Sequence, residues 1–136
     1  MLQRFSVSME KELLEMFDHY LAERKYSNRS EAVRDLIRKA FVREEWDRDA
    51  IVIGVVTLVY DHHMSLLHDR LTELQHKYYH LITSSTHVHM DHDNCLEVTI
   101  VKGKASQVQE LADQLIALRG VKDGKLTMSS TGGHLH

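Results

Sequence analysis

The 136-residue chain has a single cysteine, no proline and no apolar run long enough to span a bilayer. The lone Cys95 excludes an intramolecular disulfide and fits a reducing compartment, so the cytoplasm is the expected location. No membrane association is expected either, because Met1-Leu2-Gln3-Arg4-Phe5-Ser6 lacks the apolar centre of a secretory signal. Without proline, turns fall to Gly, Asn and Asp. Net positive charge is also missing, since the formal charge is −3. What the chain does have is 43% apolar residues, enough to bury a core, and 27% charge, which argues against long disorder.

The negative total hides a basic stretch. Between positions 24 and 43 stand Arg24, Lys25, Arg29, Arg34, Arg38, Lys39 and Arg43, opposed only by Glu31 and Asp35. A local excess of this size suits an approach to phosphates, or simply a solvated helix face. Upstream, Phe5, Val7 and Met9 alternate with Arg4, Ser6 and Ser8, which predicts a strand over Arg4 to Met9. A helix is predicted over 10–24, and a second from near Arg29, where Asn28 and Glu31 resemble a capping box.

One strand and two helices cannot close a core in under about fifty residues. Pairing the strand with its own copy, as an antiparallel ribbon over four helices, would solve this. Arg4, Ser6 and Ser8 then face outward on an element that fits the major groove. The second helix N-terminus, with Arg29, suits a phosphate. At these residues the arm resembles the ribbon-helix-helix repressors. That likeness implies base reading by Arg4, Ser6 and Ser8, and backbone anchoring around Ser27, Asn28 and Arg29 of double-stranded DNA.

The second half predicts the order βαββαβ: strands over 51–60, 86–90, 95–101 and 121–128, with helices over 64–82 and 106–119. The fold class is α+β, with a ribbon-helix-helix arm and a ferredoxin-like (ACT-type) domain. Expected boundaries are 1–45 for the arm, 46–50 for a linker, 51–128 for the second domain and 129–136 for a disordered tail.

Strand alternation narrows the eleven histidines. His87 and His89 share a face, and the predicted register sets Cys95 beside them, with Leu96, Val98 and Ile100 turned toward the helices. Two imidazoles and a thiol are therefore expected on the sheet face that the helices leave open. His76 lies roughly 200° around its helix from Leu74, away from its own sheet. As a fourth ligand it would have to come from another subunit. Such a donor set suits Ni(II) or Cu(II) if planar and Zn(II) if tetrahedral. Four protein donors leave no open position, and no general base stands beside them, so no enzyme is expected.

With both halves assembled, the chain resembles the nickel-responsive transcriptional regulators. The most specific stretch is His87-Val88-His89-Met90-Asp91-His92-Asp93-Asn94-Cys95-Leu96-Glu97, with Gln75-His76 upstream. The resemblance implies one Ni(II) per subunit, bound by His87, His89 and Cys95 and completed by His76 of a neighbouring subunit. It further implies a homotetramer, a dimer of dimers, whose nickel form binds a palindromic operator and represses nickel uptake genes. Glu31 and Asp35 match a second cation site at the domain interface. The alternatives are a response to Cu, Co or Zn, and DNA binding without metal gating. Asp61-His62-His63-Met64-Ser65 offers none of the basic residues some members use against the DNA backbone. His62, His63, His68 and His80 are expected to bind metal weakly or not at all, and His134 and His136 are given no role.

Overall fold

A computed structural model describes residues 1–136. The chain divides into two compact units, Met1–Lys39 and Ala40–His136.

The first unit holds α1 (Lys11–Glu23) and the start of α2 (Arg29–Asp47). The strand expected over Arg4 to Met9 is absent from the single chain: residues 1–10 carry no regular structure and are exposed. An isolated extended segment has nothing to exchange ladder hydrogen bonds with, so a strand needs a partner. Asn28 caps α2, its Oδ1 accepting from the Glu31 amide at 2.9 Å. The reciprocal arm of a capping box does not form, because the Glu31 carboxylate turns to Arg34.

In the second unit α2 continues to Asp47, through positions expected to begin a linker. Trp46 packs in the core, and its Nε1 donates to the Ser129 carbonyl at 2.9 Å. Ser130, expected in a disordered tail, donates from its hydroxyl to the buried Glu45 carboxylate at 2.9 Å. Four strands follow: β1 (Ile51–Asp61), β2 (Ile82–His89), β3 (Asn94–Lys104) and β4 (Val121–Ser129). They form one antiparallel sheet in the order β2-β3-β1-β4. With α3 (Ser65–Lys77) and α4 (Ala105–Ile116) as the two connections, this is the ferredoxin-like arrangement. Asp49 accepts from the Ser106 amide at 2.7 Å, satisfying one free N–H at the start of α4 and holding its own carboxyl below the usual range.

Burial alternates along β1, with Val52, Val56, Leu58 and Tyr60 inside. Their face is the helix-covered one: a Cβ on Gly54 would lie 2.6 Å from Val108 of α4. Val108, Leu111 and Leu115 of α4 and Leu67 and Leu71 of α3 complete the core there. The opposite face is apolar as well. Ile53, Val55 and Val59, all half-buried, stand beside the exposed Lys102 and the half-buried Ile100 and Leu96 on it.

The face assigned to β3 from its sequence is therefore corrected. Cys95, Glu97, Thr99 and Val101 point under the helices, while Leu96, Val98 and Ile100 lie on the open side. Apolar residues occupy both faces of β1, so hydrophobicity alone does not mark which one the helices take. No helix is long and apolar enough to cross a membrane.

Candidate metal centre and nucleic-acid surface

The antiparallel register sets His87 opposite Glu97 and His89 opposite Cys95, and directly opposed residues share a face. His87, His89 and Cys95 thus share the helix-covered face rather than the open one. They differ in depth because β2 is an edge strand and β3 an inner one. Helix coverage runs out at the edge, leaving both histidines exposed, while Cys95 is fully buried. His89 Nδ1 lies 3.5 Å from Cys95 Sγ, and the rings of His87 and His89 are 5.3 Å apart.

Burial raises the Cys95 thiol above its ordinary pKa, and the carboxylates of Asp61, Glu97 and Asp91 push in the same direction. The metal-free site therefore keeps a protonated sulfur, and a cation that takes it must displace the proton. Behind His87 lies a polar network. Tyr60 Oη is 3.2 Å from His87 Nδ1 and 3.5 Å from Glu97 Oε2. Glu97 is buried, and its other oxygen accepts from Gln75 Nε2 at 2.9 Å and Ser85 Oγ at 3.1 Å. Burial first, then the Glu97 charge, raises the Tyr60 pKa, so the phenol stays neutral. When its hydroxyl donates to Glu97, it accepts from His87 Nδ1–H and leaves Nε2 free for a metal.

His76 stands apart. It is exposed near the end of α3 and belongs to none of the clusters of metal-capable side chains. Its isolation cannot follow from the two sheet faces, since the cysteine and both strand histidines lie on the helix side. It follows from α3 itself, which turns Leu67 and Leu71 to the sheet and His76 outward.

A residue that sequence reasoning had set aside takes a place at the site. One nitrogen each of His62 and His89 and Cys95 Sγ all lie within 4.8 Å of one another. Pairing of Tyr60 with Cys95 brings the end of β1 beside the start of β3, and His62 follows just beyond. Its Nδ1 is 3.1 Å from the Asp93 carbonyl, which can only accept, so Nδ1 donates and Nε2 is the nitrogen left to face a metal. The available signal was the adjacent pair His62-His63 closing a strand; the register that makes it relevant is tertiary.

In the first unit, Arg4, Ser6 and Ser8 are exposed, as are Ser27, Asn28 and Arg29. Arg29 already forms a bidentate pair with Asp18, at 2.9 and 2.8 Å. Glu31 and Asp35 do not meet at one point: Glu31 holds Arg34, and Asp35 accepts from the Tyr26 hydroxyl and pairs with Lys39 at 3.1 Å.

The fold and the site together define a two-helix arm followed by a βαββαβ domain that carries a cluster of metal-capable side chains. Residues 3–44 match the ribbon-helix-helix proteins of the copG family, and residues 53–129 match the NikR C-terminal nickel-binding domain. The chain belongs to the nickel-responsive regulator family. A relative bearing that name in Desulfotalea psychrophila is 61% identical over all of both chains. Another in Geobacter sulfurreducens is 53% identical over 98% of this chain and 96% of its own. A third, in Solibacter usitatus, is 49% identical over 98% and 97%. Among solved structures, an uncharacterised protein of Thermotoga maritima shares the fold over 57% of this chain and 95% of its own, with a TM-score of 0.52 at 15% identity.

Proposed function

We propose that this chain is a Ni(II)-gated repressor, which binds a palindromic operator more tightly when metal fills a site built on His87, His89 and Cys95. The observation that carries the reading is the pairing of His89 with Cys95, 3.5 Å apart between Nδ1 and Sγ, with His87 on the same face. Two imidazoles and one thiolate fit a borderline divalent ion. The cation would supply charge to hold the thiolate and bonds to fix the edge strand. The chain supplies the donors, and Tyr60 with Glu97 orients His87.

His76 is assigned as the fourth donor to a neighbouring copy, one Ni(II) per subunit, in a homotetramer made of two ribbon-paired dimers. The exposed apolar side chains of the arm support ribbon pairing, and the exposed position of His76 supports donation between chains. Arg4, Ser6 and Ser8 of the paired ribbon would read bases, with Ser27, Asn28 and Arg29 at the backbone. Arg29 would have to exchange Asp18 for a phosphate. A structural cation at Glu31 and Asp35 would likewise displace Arg34 and Lys39. As a regulator of cytoplasmic DNA the protein performs no turnover, and the genes it silences would encode nickel uptake.

His62 favours a second reading, in which the fourth donor comes from the same chain. DNA binding with and without stoichiometric Ni(II) tests the gating: equal affinity in both removes it. The two donors separate by substitution. On the first reading His76→Ala loses nickel-dependent DNA binding, and mixing it with Cys95→Ala chains restores complete sites. On the second, His62→Ala is the damaging change, His76→Ala keeps nickel-dependent binding, and mixing His62→Ala with Cys95→Ala chains restores nothing.

A further inference from the structure

A second cluster of metal-capable side chains lies outside the cysteine site. His63 sits in the turn after β1, and His92 and Asp93 sit in the β2–β3 hairpin. One donor atom from each lies within 4.8 Å of the others. The Asp93 carboxylate oxygen Oδ1 is 3.4 Å from His63 Nε2 and 3.1 Å from His92 Nδ1. In a four-coordinate site with bonds of about 2.0–2.1 Å, neighbouring donors stand roughly 3.3 Å apart. The two carboxylate–imidazole separations are therefore already those of a coordination shell. The His92 carbonyl, 3.2 Å from His63 Nε2, adds a further oxygen nearby.

The backbone holds both loops in this arrangement. The His62 amide donates to the Asp93 carbonyl at 3.0 Å, tying turn to hairpin. Asp61 accepts from the His63 amide at 2.9 Å. Asp91 accepts from the amides of Asp93 and Asn94 at 2.9 and 2.8 Å. The donors are thus carried on loops that need little further ordering, which favours binding. All three side chains are more than half exposed, so an ion has access and water can complete its shell.

We propose that His63, His92 and Asp93 form a second, outer divalent-metal site, taking a borderline first-row ion through two imidazoles and one carboxylate. In the metal-free protein, His63 Nε2 faces the His92 carbonyl at 3.2 Å and His92 Nδ1 faces Asp93 Oδ1 at 3.1 Å. An ion entering between them takes a lone pair from each of those two nitrogens, each imidazole carrying its one ring proton on the other nitrogen. With no sulfur donor, the site binds more weakly than the cysteine site and fills second. It would fasten the β1–α3 turn to the hairpin. None of this depends on the identity of the fourth ligand at Cys95.

The test is titration of the full chain with Ni(II), in a His134→Ala, His136→Ala background that removes the tail histidines. Calorimetry counts equivalents, and the thiolate-to-nickel charge-transfer band reports the cysteine site alone. The expected result is a second equivalent per chain that adds heat but no charge-transfer absorption. Asp93→Asn and His63→Gln should each weaken that equivalent at least tenfold and leave the band unchanged. Cys95→Ser should abolish the band and keep the outer equivalent. The proposal is overturned if the parent binds nothing beyond the charge-transfer equivalent. It is equally overturned if the second equivalent survives both Asp93→Asn and His63→Gln at parental affinity.

Discussion

The two units of this chain solve the problem of a core differently. Ala40–His136 buries its own: Val52, Val56, Val108, Leu111 and Leu115 are fully enclosed. Met1–Lys39 encloses only Ala32, and leaves Phe5, Val7, Leu13 and Ile37 substantially exposed. Burial of a large aliphatic side chain contributes about 1.5–3 kcal/mol, so leaving these side chains in water forfeits the main source of stability. One unit encloses a core of its own, and the other leaves its apolar side chains largely in water. The latter unit carries the surface proposed to read DNA, so reading would be possible only for a pair.

The sharpest break of this comparison is Val7→Asp. On the proposed pairing it places a charge at the centre of the ribbon interface, and operator binding should be lost. Far-ultraviolet dichroism should show loss of helix from the arm only. Normal operator binding by this variant would mean that Val7 does not face a second copy. Next in size is Leu111→Ala in the self-contained unit, which should cost about 2–5 kcal/mol in urea unfolding. A cost below about 1 kcal/mol would show that the second unit also leans on a neighbour. Gly54→Ala should cost about 1–3 kcal/mol by overpacking, because its new methyl would meet Val108 at 2.6 Å and Leu126 at 3.0 Å.

The smallest effect is local and pH-dependent. Hydrogen bonds from the Asn94 side chain and from the Asn94 and Asp93 amides hold the Asp91 carboxyl below its ordinary pKa. A depressed folded value means the turn gains stability above the unfolded pKa and loses it as pH falls through the folded one. Exchange protection of the Asp93 and Asn94 amides should therefore persist down to about pH 4 and fade below it. Asp91→Ala should remove it at every pH.

The difference between the units also governs what could be read from sequence. The βαββαβ order and the capping of α2 by Asn28 are local, set by periodicity and by one side chain, and both were legible. So was the common face of His87, His89 and Cys95, which needs only alternation and a hairpin register. Which face that was could not be read. Ile53, Val55 and Val59 are as apolar as Val52, Val56 and Leu58. The burial of Glu97 is tolerable only because Tyr60, Gln75 and Ser85 meet it from three other elements. His62 reaches the site through a strand pairing, and Trp46 reaches Ser129 across 83 positions, so neither was visible in its own neighbourhood. The missing ribbon strand is the converse case, since its alternation is plain but the single chain offers it no strand to pair with.

Burial of Cys95 has one more consequence, for the chemical lifetime of the protein. Thiols are oxidised and alkylated as thiolates, and only where reagent can reach them. This sulfur is fully buried and held protonated while no cation is present. A chain awaiting metal would therefore be spared the sulfenic and disulfide chemistry that inactivates exposed cysteines. Iodoacetamide should label the folded metal-free protein far more slowly than the urea-unfolded chain. The sulfur would become a thiolate only as the metal closes over it, so the donor is protected in both states.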